Sequence, residues 1–373
     1  MSELTEIMHH LQTLAPLELA EQWDNVGLLA GDPNQQIRKV LLTIDLTRAV
    51  LDEAQQAGAE LLLTYHPPVF DPLKRVIKGQ GASPLLYEVI HSGMAVYTVH
   101  TALDAVRGGV NDRLAEVMGI ADPQPLKEPD QDTEQLCKLV VFLPESDLEK
   151  VSEAIFTAGA GHIGNYSHCS FRVEGTGTFK GDESTNPTVG QVGVLEQAPE
   201  LRLETIMPVA CIPQVIPAMV AAHSYEEPAY DLYPVLQRRG GVGAGVGIGR
   251  YGDLSNTVTK KELIETIKQR LGVGTVGVIG PTDGSASRGA VCAGSCGSIL
   301  QRVIGAGCDF YLTGELNHHN ALKLQEAGVA TVCVSHSNSE RLILRHLAQQ
   351  LRSLCSGVEF IVSTEDKDPF TWS

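Results

Sequence analysis

From residue 40 onward, short apolar runs alternate with amphipathic stretches at the spacing of α/β units. Strands are expected over 40–44, 60–64 and 95–99, with helices over 48–57, 83–91 and 111–117. A proline-rich acidic stretch over 122–132 reads as a linker. The pattern then changes: strands over 136–143, 170–175, 190–195, 201–208 and 229–233, with helices over 147–158 and 216–223, suggest a ferredoxin-like split βαβ module. The α/β rhythm returns with a helix opened by a capping box at Thr259 and Glu262. Strands over 290–293, 310–313 and 331–334 follow, with helices over 298–306 and 320–327. The expected organisation is one α/β core, residues 1–130 and 238–373, interrupted by an inserted α+β module over 131–237.

A chain of 373 residues is long enough for two or three domains, each with its own core. The formal charge of −17 argues against an unspecific nucleic-acid surface, which needs clustered cations; Arg238 and Arg239 are the local exception. No apolar run reaches signal-peptide or membrane-span length, so a cytoplasmic protein without membrane contact is expected. The eight cysteines follow no disulfide-framework spacing and read as reduced thiols. Cys292-x-x-x-Cys296 lacks the second pair that a zinc ribbon needs. The glycines of 247–252 match a dinucleotide fingerprint only formally, because no helix opens on the last of them; a turn or bulged strand is expected.

The chemistry concentrates where apolar strands end. Tyr65-His66-Pro67 and His100-Thr101-x-x-Asp104 lie early and His336-x-x-x-Glu340 late, each joining imidazole with carboxylate or phenol. If a helix starts by Asn338, the spacing of four puts His336 and Glu340 on one face. Each cluster also has a structural reading: Thr101 or Asp104 caps a turn, Ser337 or Asn338 caps a helix, and Glu340 meets its dipole. Glu315, with His318-His319, adds an acceptor and proton-carrying candidates, with capping as the structural alternative. Mixed nitrogen and oxygen donors suit zinc, manganese or iron.

These residues carry a resemblance. Glu21-Gln22-Trp23-Asp24-Asn25-Val26-Gly27, His66-Pro67-Pro68, His100 to Asp104, Gly109-Val110-Asn111, Leu312 to Glu315 with His318-His319, and His336 to Glu340 resemble the Nif-three-like family, often labelled GTP cyclohydrolase I type 2 homologues. The match covers nearly the whole chain, and the insert, with its stretch His223 to Pro228, resembles the PII- or CutA-like module of longer bacterial members. The resemblance implies a cleft between two similar α/β lobes, two divalent ions per chain and a homohexameric ring. It maps ligands onto His66, Asp104, His336 and Glu340, with Glu340 as a bridge. Many bacterial members carry a histidine doublet where this chain has Tyr65-His66, so Tyr65 would be a phenol ligand and one site weaker.

Two functions follow as expectations. One is a dinuclear metal-dependent hydrolase acting on a nucleotide or phosphoester, with His100, Glu315 or His319 moving protons or orienting ligands. The other is a non-catalytic metal-binding regulatory scaffold whose PII-like insert senses an effector.

Overall fold

The computed structural model describes residues 2–80, 84–128, 136–164, 166–185, 187–235 and 245–371. The chain forms two compact units, one of Met1–Asp130 with Val242–Ser373 and the other of Gln131–Gly241.

Among the described residues the first unit has two large sheets, besides the short antiparallel pair Ser2–Glu3 and Gln36–Ile37. In one, strands Glu359–Val362, Lys39–Thr43, Leu61–Thr64 and Ala95–Thr98 run parallel in that order, with Gly27–Ala30 antiparallel at the edge. Leu61–Thr64 and Ala95–Thr98 are buried at every position, as strands covered on both faces must be, which explains their unbroken apolar runs. The other sheet has the order Gly277–Ile279, Ala330–Cys333, Phe310–Glu315, Ser285–Ser295, Ile248–Thr259 and Gln124–Lys127. Its strands Ala330–Cys333, Phe310–Glu315 and Ser285–Ser295 are parallel. One apolar cluster joins the two, from Leu63 and Tyr97 to Leu312 and Val332. Tyr65, His66, His100, Glu315 and His336 lie at the carboxyl ends of parallel strands from both sheets, the usual place for ligands on open α/β sheets.

The second unit has a four-stranded antiparallel sheet in the order Tyr230–Val235, Leu136–Leu143, Glu196–Pro208, Ser170–Phe179. Helices Leu148–Thr157 and Ile212–Ala222 complete a βαββαβ sequence, and its strands, numbered along the unit, lie in the order 4-1-3-2. Leu139, Val141, Val151, Ile155, Leu203 and Met219 form its core. His223 is a structural residue: Nε2 lies 3.0 Å from the Phe142 carbonyl and Nδ1 accepts the Tyr225 amide.

Several expectations need correction. Residues 190–195 are bends and turns rather than a strand, because Gly190 and Gly193 take positive φ of 84° and 77°. Gln124–Lys127 of the expected linker is an edge strand paired with residues 248–251, a position that tolerates Pro125; residues 129–132 lie outside the described residues, as do Arg238 and Arg239. Residues 248–252 open the strand Ile248–Thr259, whose pairing with Ser285–Ser295 shifts register between Asp253 and Val258. Helices Leu4–Leu14 and Leu342–Leu354 add to the expected elements. Cys292 and Cys296 are joined in a disulfide with Cα atoms 6.1 Å apart, and the other six cysteines are free. Among the described residues, no helix is long and apolar enough to cross a membrane.

Candidate metal centre

Strand Leu61–Thr64 ends at Tyr65 and His66, and two prolines then fix the chain direction. Ala330–Cys333 likewise delivers the short helix His336–Glu340, preceded by Ser335 at φ 76°. That backbone is unfavourable for a β-carbon residue and is held from outside: Asp368 accepts hydrogen bonds from the hydroxyl of Ser335 and, at 3.1 Å, from the amide of Asn338. Asp366 bonds Arg341 at 3.1 Å and the Ile44 amide at 3.0 Å. Residues near the end of the chain therefore tie the helix to the strand end that precedes Asp45.

Among the described residues, His66, His336 and Glu340 form a group whose ligand atoms all lie within 4.8 Å of one another. Nε2 of His66 is 3.3 Å from one carboxylate oxygen of Glu340, and Nε2 of His336 is 3.3 Å from the other. Glu340 is 3% exposed, and its Oε2 is buried without a hydrogen bond. Each imidazole is oriented from behind: Asp45 lies 2.9 Å from Nδ1 of His66, and Glu315 lies 3.0 Å from Nδ1 of His336. Such outer carboxylates fix ring orientation and leave Nε2 for a ligand.

The charges follow from this packing. Burial works against a charged His66, but its bond to Asp45 and the facing Glu340 carboxylate outweigh it and raise its pKa to about 10. Glu340 and then Glu315 raise that of His336 to about 9, against some burial. Burial favours a neutral Glu340, yet His336 and His66 hold its carboxyl below the ordinary value. The His66 and His336 imidazoliums thus share the buried Glu340 carboxylate, and each also meets an outer one, Asp45 or Glu315. A divalent ion fits the same three donors, because two imidazole nitrogens and one carboxylate are a usual set for zinc or iron.

A second group adjoins the first. The ring of His100 lies 5.2 Å from that of His66 and 5.9 Å from that of Tyr65. Nδ1 of His100 is 2.7 Å from Asp24, which also accepts bonds from the amide and hydroxyl of Thr101. The Tyr65 phenol donates to Asp104. Burial first, then the carboxylates of Asp104 and Glu340, push the Tyr65 pKa well above its ordinary value. Burial also raises Asp104 to about 6, against the Tyr65 bond and with the Glu340 charge adding to the rise. Burial and the two carboxylates keep the proton on the Tyr65 phenol, which donates it in the hydrogen bond to Asp104.

The structure brings His66, His336 and Glu340 together, sets Tyr65, His100 and Asp104 beside them, and puts Glu315 behind His336. His319 is exposed at the start of helix His318–Glu326, its ring 5.6 Å from that of His318, and it is not one of the three residues whose ligand atoms meet. Asp45 and Asp24 were given no role from sequence. The available signal was position, since Asp45 follows strand Lys39–Thr43 much as His66 follows its own strand.

Fold and site define a mixed α/β protein with a candidate metal centre at its strand ends. The model of the family Duf34/NIF3 (NGG1p interacting factor 3) matches residues 2–369, and the chain belongs to this family. The protein called GTP cyclohydrolase 1 type 2 homolog from Halalkalibacterium halodurans is 37% identical over 362 residues, covering 96% of this chain and 95% of that protein. Its Bacillus subtilis namesake is 37% identical over 371 residues, covering 98% of each. Among solved structures, a Bacillus cereus protein related to NIF3 superposes with a TM-score of 0.66 at 36% identity, covering 99% of this chain and 98% of that one. Staphylococcus aureus protein SA1388 gives 0.71 at 24% identity over 100% and 99%, a likeness of fold alone.

Proposed function

We propose that the protein is a metal-dependent hydrolase acting on a nucleotide or phosphoester. The observation that carries this reading is the buried Glu340 carboxylate, with one oxygen lacking a hydrogen bond and an imidazole Nε2 on either side. His66, His336 and Glu340 would hold one ion, and Asp104 would serve a second, weaker one beside Glu340; zinc, manganese and iron would all suit these donors. A bound divalent ion supplies Lewis acidity toward a substrate oxygen. Asp45 and Glu315 keep His66 and His336 in the tautomer that offers Nε2. His100, polarised by Asp24, is placed to take a proton from attacking water or return it to the leaving group. In phosphoester hydrolysis the water oxygen bonds to phosphorus, the ester P–O bond breaks, and the leaving oxygen takes up a proton. His319 is exposed and is given no part in the reading.

The names of the related proteins support a nucleotide substrate, since they refer to GTP cyclohydrolase. The two sheets, each with consecutive parallel strands ending near the site, support two similar α/β lobes around a cleft. The βαββαβ order of the second unit supports a PII/CutA-like module, and we assign it effector sensing rather than catalysis. A cytoplasmic homohexameric ring completes the proposal. Turnover of a nucleotide and phosphoester panel by metal-loaded protein, lost in Glu340→Ala and Asp104→Ala, is the expected result. Absence of turnover across the panel, with ions bound, favours the regulatory scaffold instead.

A further inference from the structure

Two large aromatic rings stand uncovered beside this centre. Trp23 is 59% exposed and Phe70 is 49% exposed, with ring centroids 5.9 Å apart and planes tilted by 39°. Scattered exposed aromatics are ordinary. These two differ because the loops that carry them are pinned by polar bonds. Asp24, next to Trp23, is bound to His100 and to Thr101. The Glu21 amide donates to the Thr101 hydroxyl at 3.0 Å, and the Asn25 side chain donates to the carbonyl of Val69 at 2.6 Å, tying the Trp23 loop to the Phe70 loop. The rings are held out toward solvent rather than left to fold inward.

They also continue the line of rings in the centre. The Trp23 indole is 6.0 Å from the His100 ring in an edge arrangement, and His100 is 5.2 Å from His66, a residue of the triad. A fixed, exposed pair of π-faces at the edge of a polar site fits a flat ring belonging to the ligand whose polar end reaches the site.

We propose that Trp23 and Phe70 form a stacking subsite for a flat heteroaromatic base, the ring-bearing end of the substrate. This rests on the metal-dependent reading above and narrows it. Trp23 is itself two ring-to-ring steps from His66, so the triad meets what a base held against Trp23 carries and not the base itself. The substrate class is then a phosphoester or polyphosphate attached to a base, with hydrolysis at phosphorus, rather than a base whose own ring is opened.

The test uses full-length metal-loaded protein carrying Trp372→Phe, so that Trp23 is the single tryptophan. Guanosine 5′-monophosphate and ribose 5-phosphate, which lacks the ring, are each titrated by fluorescence and by calorimetry. The expected result is saturable quenching by the nucleotide alone. Trp23→Leu and Phe70→Ala should weaken the nucleotide by about 10- to 100-fold while changing ribose 5-phosphate less than about twofold, the range for loss of base stacking. Trp23→Phe, which keeps a ring, should fall between. Unchanged emission at nucleotide saturation, equal weakening of both ligands, or an emission that shifts with protein dilution because the rings lie between copies would each overturn the proposal. Repeating the quench after chelation separates the two readings: nucleotide quenching that survives metal removal supports the stacking subsite whatever the centre does. Failure to bind ions counts against the centre alone.

Discussion

A β-carbon on Gly294 would lie 2.7 Å from Oε1 of Glu340 and 3.4 Å from Nε2 of His336. The backbone at the end of strand Ser285–Ser295 thus forms one wall of the candidate centre, and φ at Gly294 is +68°. Gly272 has the same φ of +68° at the end of helix Lys260–Leu271, but open space where its β-carbon would go. Gly294→Ala and Gly272→Ala should therefore share a backbone cost of about 1–2 kcal/mol in chemical denaturation. Only Gly294→Ala should weaken metal binding, by about 10- to 100-fold in a competition titration, because only there is a ligand displaced. Equal metal affinity in the two variants would contradict the wall.

Metal binding should release protons. His66 and His336, with pKa values raised to about 10 and about 9, are both charged at neutral pH in the metal-free protein, and each must lose its Nε2 proton to ligate. Calorimetry near pH 7 in buffers of differing ionisation enthalpy should report about two protons released per ion. A value near zero would mean that the ion binds elsewhere.

The same shifts set the stability of metal-free protein against pH. His66 and His336 have raised pKa values, so their contribution is complete below the unfolded value of 6.5 and is lost as pH climbs through about 9 and 10. Asp104, raised to about 6, acts in the same direction and is lost earlier, as pH rises through 6. Glu340, held below 4.5, contributes above that value and loses its contribution as pH falls through its lower folded value. Urea midpoints of chelated protein should decline steadily from about pH 6 to pH 10, and Glu340→Gln should flatten the decline. An unchanged slope in that variant would show that the imidazoles are not paired with Glu340.

Tyr65 decides how many ions bind tightly. With its phenol donating to Asp104 and its pKa pushed up by burial, the wild-type chain should bind one ion tightly and a second more weakly. Tyr65→His, which restores a second imidazole, should bring the two sites closer in affinity. Tyr65→Phe leaves the half-buried Asp104 carboxylate without its donor and should cost about 1–3 kcal/mol of stability. Two equally tight ions in the wild-type protein would refute the role given to the phenol.

The legible part of the chain was that whose sequence period matches its burial. Strand Leu61–Thr64 and helix Arg48–Ala57 stood out because continuous apolar runs and an amphipathic stripe have one interpretation each. The four-residue spacing of His336 and Glu340 became one turn of the short helix His336–Glu340. Helix Leu342–Leu354 buries Ile343, Leu344, Leu347 and Leu351 at helical spacing, but it follows that short helix with no break in the pattern to mark it as a separate element. Asp45 and Asp24 act through tertiary contacts made by loops, which no local period announces. The Cys292–Cys296 bond depends on how the end of strand Ser285–Ser295 turns, a property of the backbone and not of the spacing.

The central claim is that His66, His336 and Glu340 share a cation, and anomalous scattering at the zinc, iron and manganese edges, from crystals grown without chelator, tests it most directly. The account predicts a peak within coordination distance of both Nε2 atoms and the Glu340 carboxylate. A map with no peak there, or with ions only at other sites, would contradict it.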